Sequence, residues 1–267
     1  MSHLLREHAP ISEKGWRVLD DEARERLTPA LAARKLVDFD GPKGWEHSAT
    51  NLGRAEDVSE VPGDGVIARQ RRVLGLVELR ARFSVARPEL EDADRGAEDI
   101  DLDELDQAAA RIAAAENAAV FHGWSAAGIT GVTQASTQDP ITLGEDCARY
   151  PRHVAVAVDA LRVAGVGGPY GLALGPEAHT RVLETSEHGG YPLLEHLRQI
   201  LGGPIVFAPA VEGAAVLSMR GGDFLFDSGE DFSIGYESHG SDTVELYLEE
   251  SFSFMVATPE AAVPLPA

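Results

Sequence analysis

From Val244 to Val256 the chain alternates with period two. Val244, Leu246, Leu248, Phe252, Phe254 and Val256 take even positions, while Glu245, Glu249, Ser251 and Ser253 fall among the odd ones. Successive side chains of a strand point to opposite faces, so this run predicts one long strand with one buried face. A strand of about 13 residues is more than twice the usual five or six, which requires a large sheet or an extended spine. Only Glu250 interrupts the apolar series. A carboxyl group there implies a strand end, a bulge or a partner.

Helical signals precede it. Ser12 is placed to cap a helix carrying Trp16, Leu19, Ala23 and Leu27 at helical spacing. Thr28-Pro29 reads as a restart, with Thr as cap and Pro at the first helical position. Val66 to Val85 reads as strand, with Leu74, Leu76, Val77 and Leu79 as candidates for burial. Asp101 and Glu104 form a plausible capping pair for a helix that places Leu102, Leu105, Ala109 and Ile112 on one face. The alanine-rich run continues through Ala119, and Gly123 ends it.

Residues 135–220 alternate short helices and strands. Pro151 opens a helix with Val154, Val158 and Leu161, and Tyr170 to Leu174 is a strand. Glu177 to Thr185 is helical, Pro192 opens another helix with Leu193, Leu197 and Leu201, and Ile205 to Phe207 returns to strand. This rhythm predicts a compact α/β module inside an α+β chain. Gly41 to Gly65 differs: glycine, proline and charge interleave without an apolar face of either period. Such a stretch is either disordered or ordered by contact with something else.

Composition excludes several functions. The 44 acidic and 23 basic residues leave a formal charge of −21, unsuited to a nucleic-acid binder, whose affinity rests on Lys and Arg releasing counterions. One cysteine, Cys147, closes no disulfide within the chain and makes no multi-thiolate zinc site. No secretion signal and no run long enough to span a membrane is visible, so a reducing cytoplasm is the expected location.

No catalytic constellation assembles. Gly123-Trp-Ser125-Ala-Ala-Gly128 approaches a nucleophile elbow, but Ala127 stands where G-x-S-x-G needs glycine, and a helix rather than a strand precedes it. Gly165 to Gly171 leads from helix into strand, the wrong order for a phosphate loop. Glu187-His188 and Glu195-His196 bring carboxylate beside imidazole without a third ligand at the spacing metal motifs use. We therefore expect no catalytic residue and no metal site.

Taken in order, several stretches are similar to the encapsulin shell proteins, also known as linocin-type bacteriocins, whose fold resembles that of tailed-phage capsid proteins. They are Leu5-Arg-Glu-His-Ala-Pro-Ile-Ser12, Arg34-Lys-Leu-Val-Asp38, Gly41-Pro-Lys-Gly-Trp45, Leu79-Arg80, Glu89-Leu90 with Arg95-Gly96, and Gly167-Gly-Pro-Tyr170. Glu187-His-Gly-Gly-Tyr-Pro192, Gly221-Gly-Asp-Phe224, Asp231-Phe-Ser-Ile-Gly-Tyr236 and Tyr247-Leu-Glu-Glu-Ser-Phe252 follow. The resemblance implies an HK97-type, phage-capsid-like fold. Residues 1–47, 74–134 and 221–267 would form a peripheral domain, 48–73 an extended loop lying on a neighbouring subunit, and 135–220 an axial domain.

The same resemblance implies self-assembly into a closed icosahedral compartment of about 60 copies or a multiple. Cargo enzymes, dye-decolourising peroxidases or ferritin-like proteins, would dock on the inner wall by a targeting peptide, linking the shell to oxidative stress or iron storage. Arg34, Leu36, Asp38, Phe232, Ile234 and Tyr236 would take that peptide. Glu187, His188, Gly189, Gly190 and Tyr191 would edge a five-fold pore. No flavin is expected, because Arg87-Pro88 stands before Glu89-Leu90 where some relatives carry an aromatic residue. The alternatives are a phage or prophage capsid protein, a secreted bacteriocin or protease, and a hydrolase or metal-dependent enzyme using Ser125 or His188 with Glu187.

Overall fold

The computed structural model describes residues 2–186 and 190–267. In chain order its helices are α1 (Glu13–Ala30), α2 (Arg87–Arg95), α3 (Asp103–His122), α4 (Val132–Ala135), α5 (Tyr150–Val163), α6 (Pro176–Glu184) and α7 (Leu193–Leu201). Its strands are β1 (Asp38–Asp40), β2 (Ala49–Val58), β3 (Ala68–Gly75), β4 (Val77–Ala86), β5 (Tyr170–Leu174), β6 (Gly202–Phe207), β7 (Ala214–Ser218), β8 (Phe224–Ser228), β9 (Ser233–His239), β10 (Thr243–Val256) and β11 (Ala262–Leu265).

Ser12 caps α1, its Oγ accepting from the Gly15 amide at 2.9 Å. The helix does not restart at Thr28. It runs through Pro29 to Ala30, because Pro29 lies in the last turn, where one missing intrahelical bond matters least, while Leu27 and Leu31 remain buried. The Thr28 hydroxyl instead donates back to the Arg24 carbonyl at 2.7 Å. At α3 the capping pair does not close either. The helix starts at Asp103, and Glu104 accepts from both the amide and the hydroxyl of Ser84 on β4. The Asp101 amide turns to Glu89. Helix α2 lies in a stretch for which the sequence reading proposed no element, although Pro88 in its first turn and Gly96 as its left-handed C-cap are ordinary helix punctuation.

The strand foreseen at 244–256 is the spine of a five-stranded sheet in the order β1-β8-β10-β4, with β9 also on β10. β4 pairs antiparallel along most of it, from Thr243↔Ala86 to Phe252↔Val77. Two shorter strands share its other edge: β9 takes the first half and β8 the second. That division is why one strand must be so long. The expectation of a single buried face is too simple, since Tyr247, Glu249, Ser251 and Ser253 are buried as well. The polar face is covered by the N-terminal residues and by the root of the arm described next.

β2 and β3 form a hairpin of their own, from Ala49↔Gly75 to Val58↔Ala68, with a register shift between Asn51 and Arg54. Part of the stretch that showed no strand pattern is therefore strand. The pattern is missing because neither face meets a core. The run from Val66 to Val85 is broken at Leu76, and Leu74, Leu76, Val77 and Leu79 are half-buried, while Ala81, Phe83 and Val85 reach the core. At the arm's root Asp227 accepts from Lys43 at 2.6 Å, from His47 at 3.1 Å and from Thr50.

A four-stranded sheet in the order β11-β7-β5-β6 carries the α/β region. β5 is parallel to β6 and antiparallel to β7. Gly202 at φ 67° makes the sharp exit from α7 into β6 that a side chain would disfavour. Residues 262–265, grouped above with the peripheral part, pair with β7 instead. Two buried cores result. One joins α1 and α3 to Phe83, Val85, Val244, Leu246 and Leu248. The other joins the α/β region to Leu36, Phe121, Phe224, Phe226, Phe252 and Phe254.

Candidate docking groove

A groove of about 410 Å³ runs between α1 and β9. Ala23 and Leu27 on α1, Leu31 just beyond it, Ile234 on β9 and Leu248 on β10 give it an apolar floor. Helical spacing puts Ala23 and Leu27 on one face of α1, and alternation aims Ile234 and Leu248 to the same side of the sheet, where they pair in register. Polar groups rim this floor: Arg6, Asp20, Arg24, Asp231 and Ser233. Arg6 donates to Asp20 at 2.7 Å and lies 4.0 Å over the Trp16 ring.

Arg34 closes one end of the groove. Each nitrogen of its guanidinium donates once: Nε to Glu116 Oε2 at 2.7 Å, Nη1 to Asp231 Oδ1 at 2.6 Å and Nη2 to Glu250 Oε2 at 2.8 Å. The rings of Phe232 and Phe39 stand 4.7 and 4.9 Å from its carbon, close enough for cation–π attraction. Burial disfavours its charge, but the carboxylates of Glu116 and Glu250 and the bond to Asp231 outweigh that and raise its pKa. Glu116 and Glu250 have fully shielded side chains. Burial raises both pKa values, Glu250 well above the ordinary carboxyl range, with the neighbouring Glu116 adding to the burial effect and Arg34 opposing it.

Of the six residues expected to hold a peptide, the structure brings Arg34, Phe232 and Ile234 together at this groove. Tyr236 follows on the same strand, its amide bonded to the Leu4 carbonyl and its hydroxyl to His239. Leu36 and Asp38 are not brought there. Leu36 is 2% exposed in the α/β core, and Asp38, the first residue of β1, accepts from the Gly222 amide at 2.6 Å. The turn at Ala33–Lys35 explains the separation, because it sends Leu36 away from Arg34. Sequence reasoning missed Arg6, Asp20, Arg24 and Glu116. Only Glu116 left a signal: it lies four residues after Ile112 on the apolar face of α3, where a carboxyl group must find a partner.

Of the expected pore loop, Glu187, His188 and Gly189 lie outside the described residues. Gly190 has φ 79°, and Tyr191 is half exposed with its hydroxyl accepting from Gln199 at 2.8 Å. Ser125 opens a short turn after α3, closed by a bridge between Trp124 and Ile129. Among the described residues no group of three His, Cys, Asp or Glu side chains is placed to hold a metal ion, and no helix is long and apolar enough to cross a membrane.

Solved structures share this architecture. A virus-like particle from Pyrococcus furiosus matches with a TM-score of 0.66 at 19% identity, covering 95% of this chain and 98% of that one. The capsid of a GTA particle matches at 0.53 and 14% identity, covering 89% and 90%. The fold is thus the HK97-like fold of capsid-type shells. The family model described as "Encapsulating protein for peroxidase" matches residues 1–253. The type 1 encapsulin shell protein of Rhodospirillum rubrum is 48% identical, over 99% of this chain and 96% of that protein. That of Mycobacterium tuberculosis is 42% identical over 99% of each. The chain belongs to the encapsulin shell-protein family. Its relatives are named for a structural shell, which points to a non-enzymatic role.

Proposed function

We propose that this chain assembles with copies of itself into a closed icosahedral compartment of about 60 subunits or a multiple, and that the groove between α1 and β9 takes the targeting peptide of a cargo enzyme. The exposed arm supports the first half of this reading. An isolated two-stranded hairpin is marginal in water, yet this one holds out Val66, Ile67 and Val73, at 59%, 86% and 56% exposure, with no core of its own to receive them. A neighbouring subunit supplies the missing surface. The peripheral, extended and axial parts then correspond to residues around the five-stranded sheet, the hairpin and the four-stranded sheet.

The groove supports the second half. An apolar floor with a charged rim suits an extended segment carrying alternating apolar residues. The family description names a peroxidase as the encapsulated protein, and a dye-decolourising peroxidase or a ferritin-like protein is the cargo we infer, in the cytoplasm. Gly190 and Tyr191, the described end of the expected pore loop, edge the five-fold opening. Many copies on one wall retain cargo through individually weak docking.

Size-exclusion chromatography with negative-stain imaging of the purified chain tests assembly. Uniform hollow particles of megadalton mass are expected, and a lone globule of 28.5 kDa would overturn the reading. Pull-down of a dye-decolourising peroxidase, with and without its terminal peptide, tests docking, and equal capture of the two would overturn it.

A further inference from the structure

The seam between the two cores holds more charge than the groove needs. Along β10, Leu248 belongs to the helix-covered core and Phe252 to the other, with Glu250 between them. Along α3, Ala113 belongs to the first and Ala119 to the second, with Glu116 between them. Each glutamate gives its Oε2 to Arg34 and leaves its Oε1 buried without a donor. The two carboxyl groups meet on one guanidinium, at its Nε and Nη2, which brings them side by side. As carboxylates both can only accept, and one guanidinium faces two buried negative charges plus the half-exposed Asp231. A single proton resolves both problems, because it turns one Oε1 into a donor to the other.

We propose that Glu116 and Glu250 share one proton at neutral pH, that this pair positions Arg34 and with it the Asp231 wall of the groove, and that losing the proton as pH rises slackens that wall. The groups facing the pair are Arg34 from the turn after α1 and Asp231 from the segment before β9, while the β4 residue in register with Glu250 is the apolar Leu79. Burial raises both carboxyl pKa values, so the folded chain binds a proton that the unfolded chain releases. That contribution is complete below the ordinary carboxyl pKa and is lost as pH rises through the raised one. The consequence for cargo rests on reading the groove as a peptide site; the shared proton does not.

Infrared spectroscopy of the full chain, titrated from neutral to alkaline pH, reads the proton directly. The wild type is expected to show a carboxylic-acid carbonyl band that bleaches as pH rises and is absent in Glu250→Gln. Hydrogen exchange supplies the positional readout: at alkaline pH the amides of Phe232 to Ile234 should exchange severalfold faster in wild type than in Glu250→Gln. No such band in neutral wild type, or equal exchange in the two proteins, overturns the proposal. If Glu250→Gln does not fold, Glu116→Gln makes the same comparison, and the wild-type band decides alone if neither folds. A groove that takes no peptide would refute the docking reading and leave this band unchanged.

Discussion

Glu116 and Glu250 reach the guanidinium of Arg34 from two different elements, a helix and a strand, at 2.7 and 2.8 Å, with both side chains fully shielded. Each sits at the position where its element passes from one core to the other. The charged contact is therefore a joint: it ties α3 to the spine strand at the point where apolar packing changes hands, and it does so through the residue that closes the groove between α1 and β9.

Replacing Arg34 leaves this joint with two buried acids and no cation. Arg34→Ala is expected to lower stability by about 3–5 kcal/mol, the usual effect of removing one partner from a buried ion pair. Arg34→Lys keeps the charge but cannot reach three acceptors in one plane, and should fall between the two. Denaturant titration of the three proteins at one pH provides the measurement. Equal midpoints for Arg34→Ala and wild type would contradict the joint.

Asn117, the next residue on α3, holds the end of α1 by backbone contacts alone. Its Oδ1 accepts from the amides of Ala32 and Ala33 at 3.1 Å, and its Nδ2 donates to the Ala30 carbonyl at 2.8 Å. Asn117→Leu keeps the branched shape but removes these bonds, leaving the Ala33 amide without a partner while the Ala32 amide keeps its bond to the Ala30 carbonyl. A loss of about 1–3 kcal/mol follows from leaving one buried group unsatisfied, again read from denaturant midpoints.

The spine strand and the α/β alternation were legible because their periodicity reports burial against the chain's own core. Glu250 was legible as an anomaly for the same reason, though its partners Arg34 and Glu116 lie 216 and 134 residues away, a separation no local pattern carries. The arm was legible only as an absence, since β2 and β3 have no core face to impose alternation. Helix α2 and the uninterrupted end of α1 were misread where punctuation by proline admits two meanings. At the groove, the family resemblance pointed to Arg34, Phe232 and Ile234. They did not show that the turn after Arg34 carries Leu36 to the opposite core.

Asp227 fixes the direction of the arm, and its titration gives a pH dependence opposite in sign to that of Glu250. Burial disfavours its charge, but hydrogen bonds from Lys43, Thr50 and His47 outweigh burial and lower its pKa below the ordinary 3.8. A depressed carboxyl stabilises the fold above the ordinary value, and that stabilisation is lost as pH falls through the lowered one. The arm's root should therefore loosen only in strong acid, and Asp227→Asn should loosen it at every pH. Limited proteolysis between residues 49 and 75 is the assay: faster cleavage of Asp227→Asn at neutral pH is expected, and unchanged cleavage would remove Asp227 as the anchor.

The arm tip separates folding from assembly. Ile67 is 86% exposed and touches none of the buried core, so Ile67→Asp should change the stability of the isolated subunit by no more than about 0.5 kcal/mol, as for surface sites generally. In the proposed shell the same side chain would be buried against a neighbour, where an unpaired carboxylate is strongly disfavoured. The double substitution Ile67→Asp with Val73→Asp is therefore expected to leave a folded chain by circular dichroism and to abolish or greatly reduce megadalton particles by light scattering. Particles that form at the wild-type level would show that the arm seats elsewhere, with its apolar tip still in water.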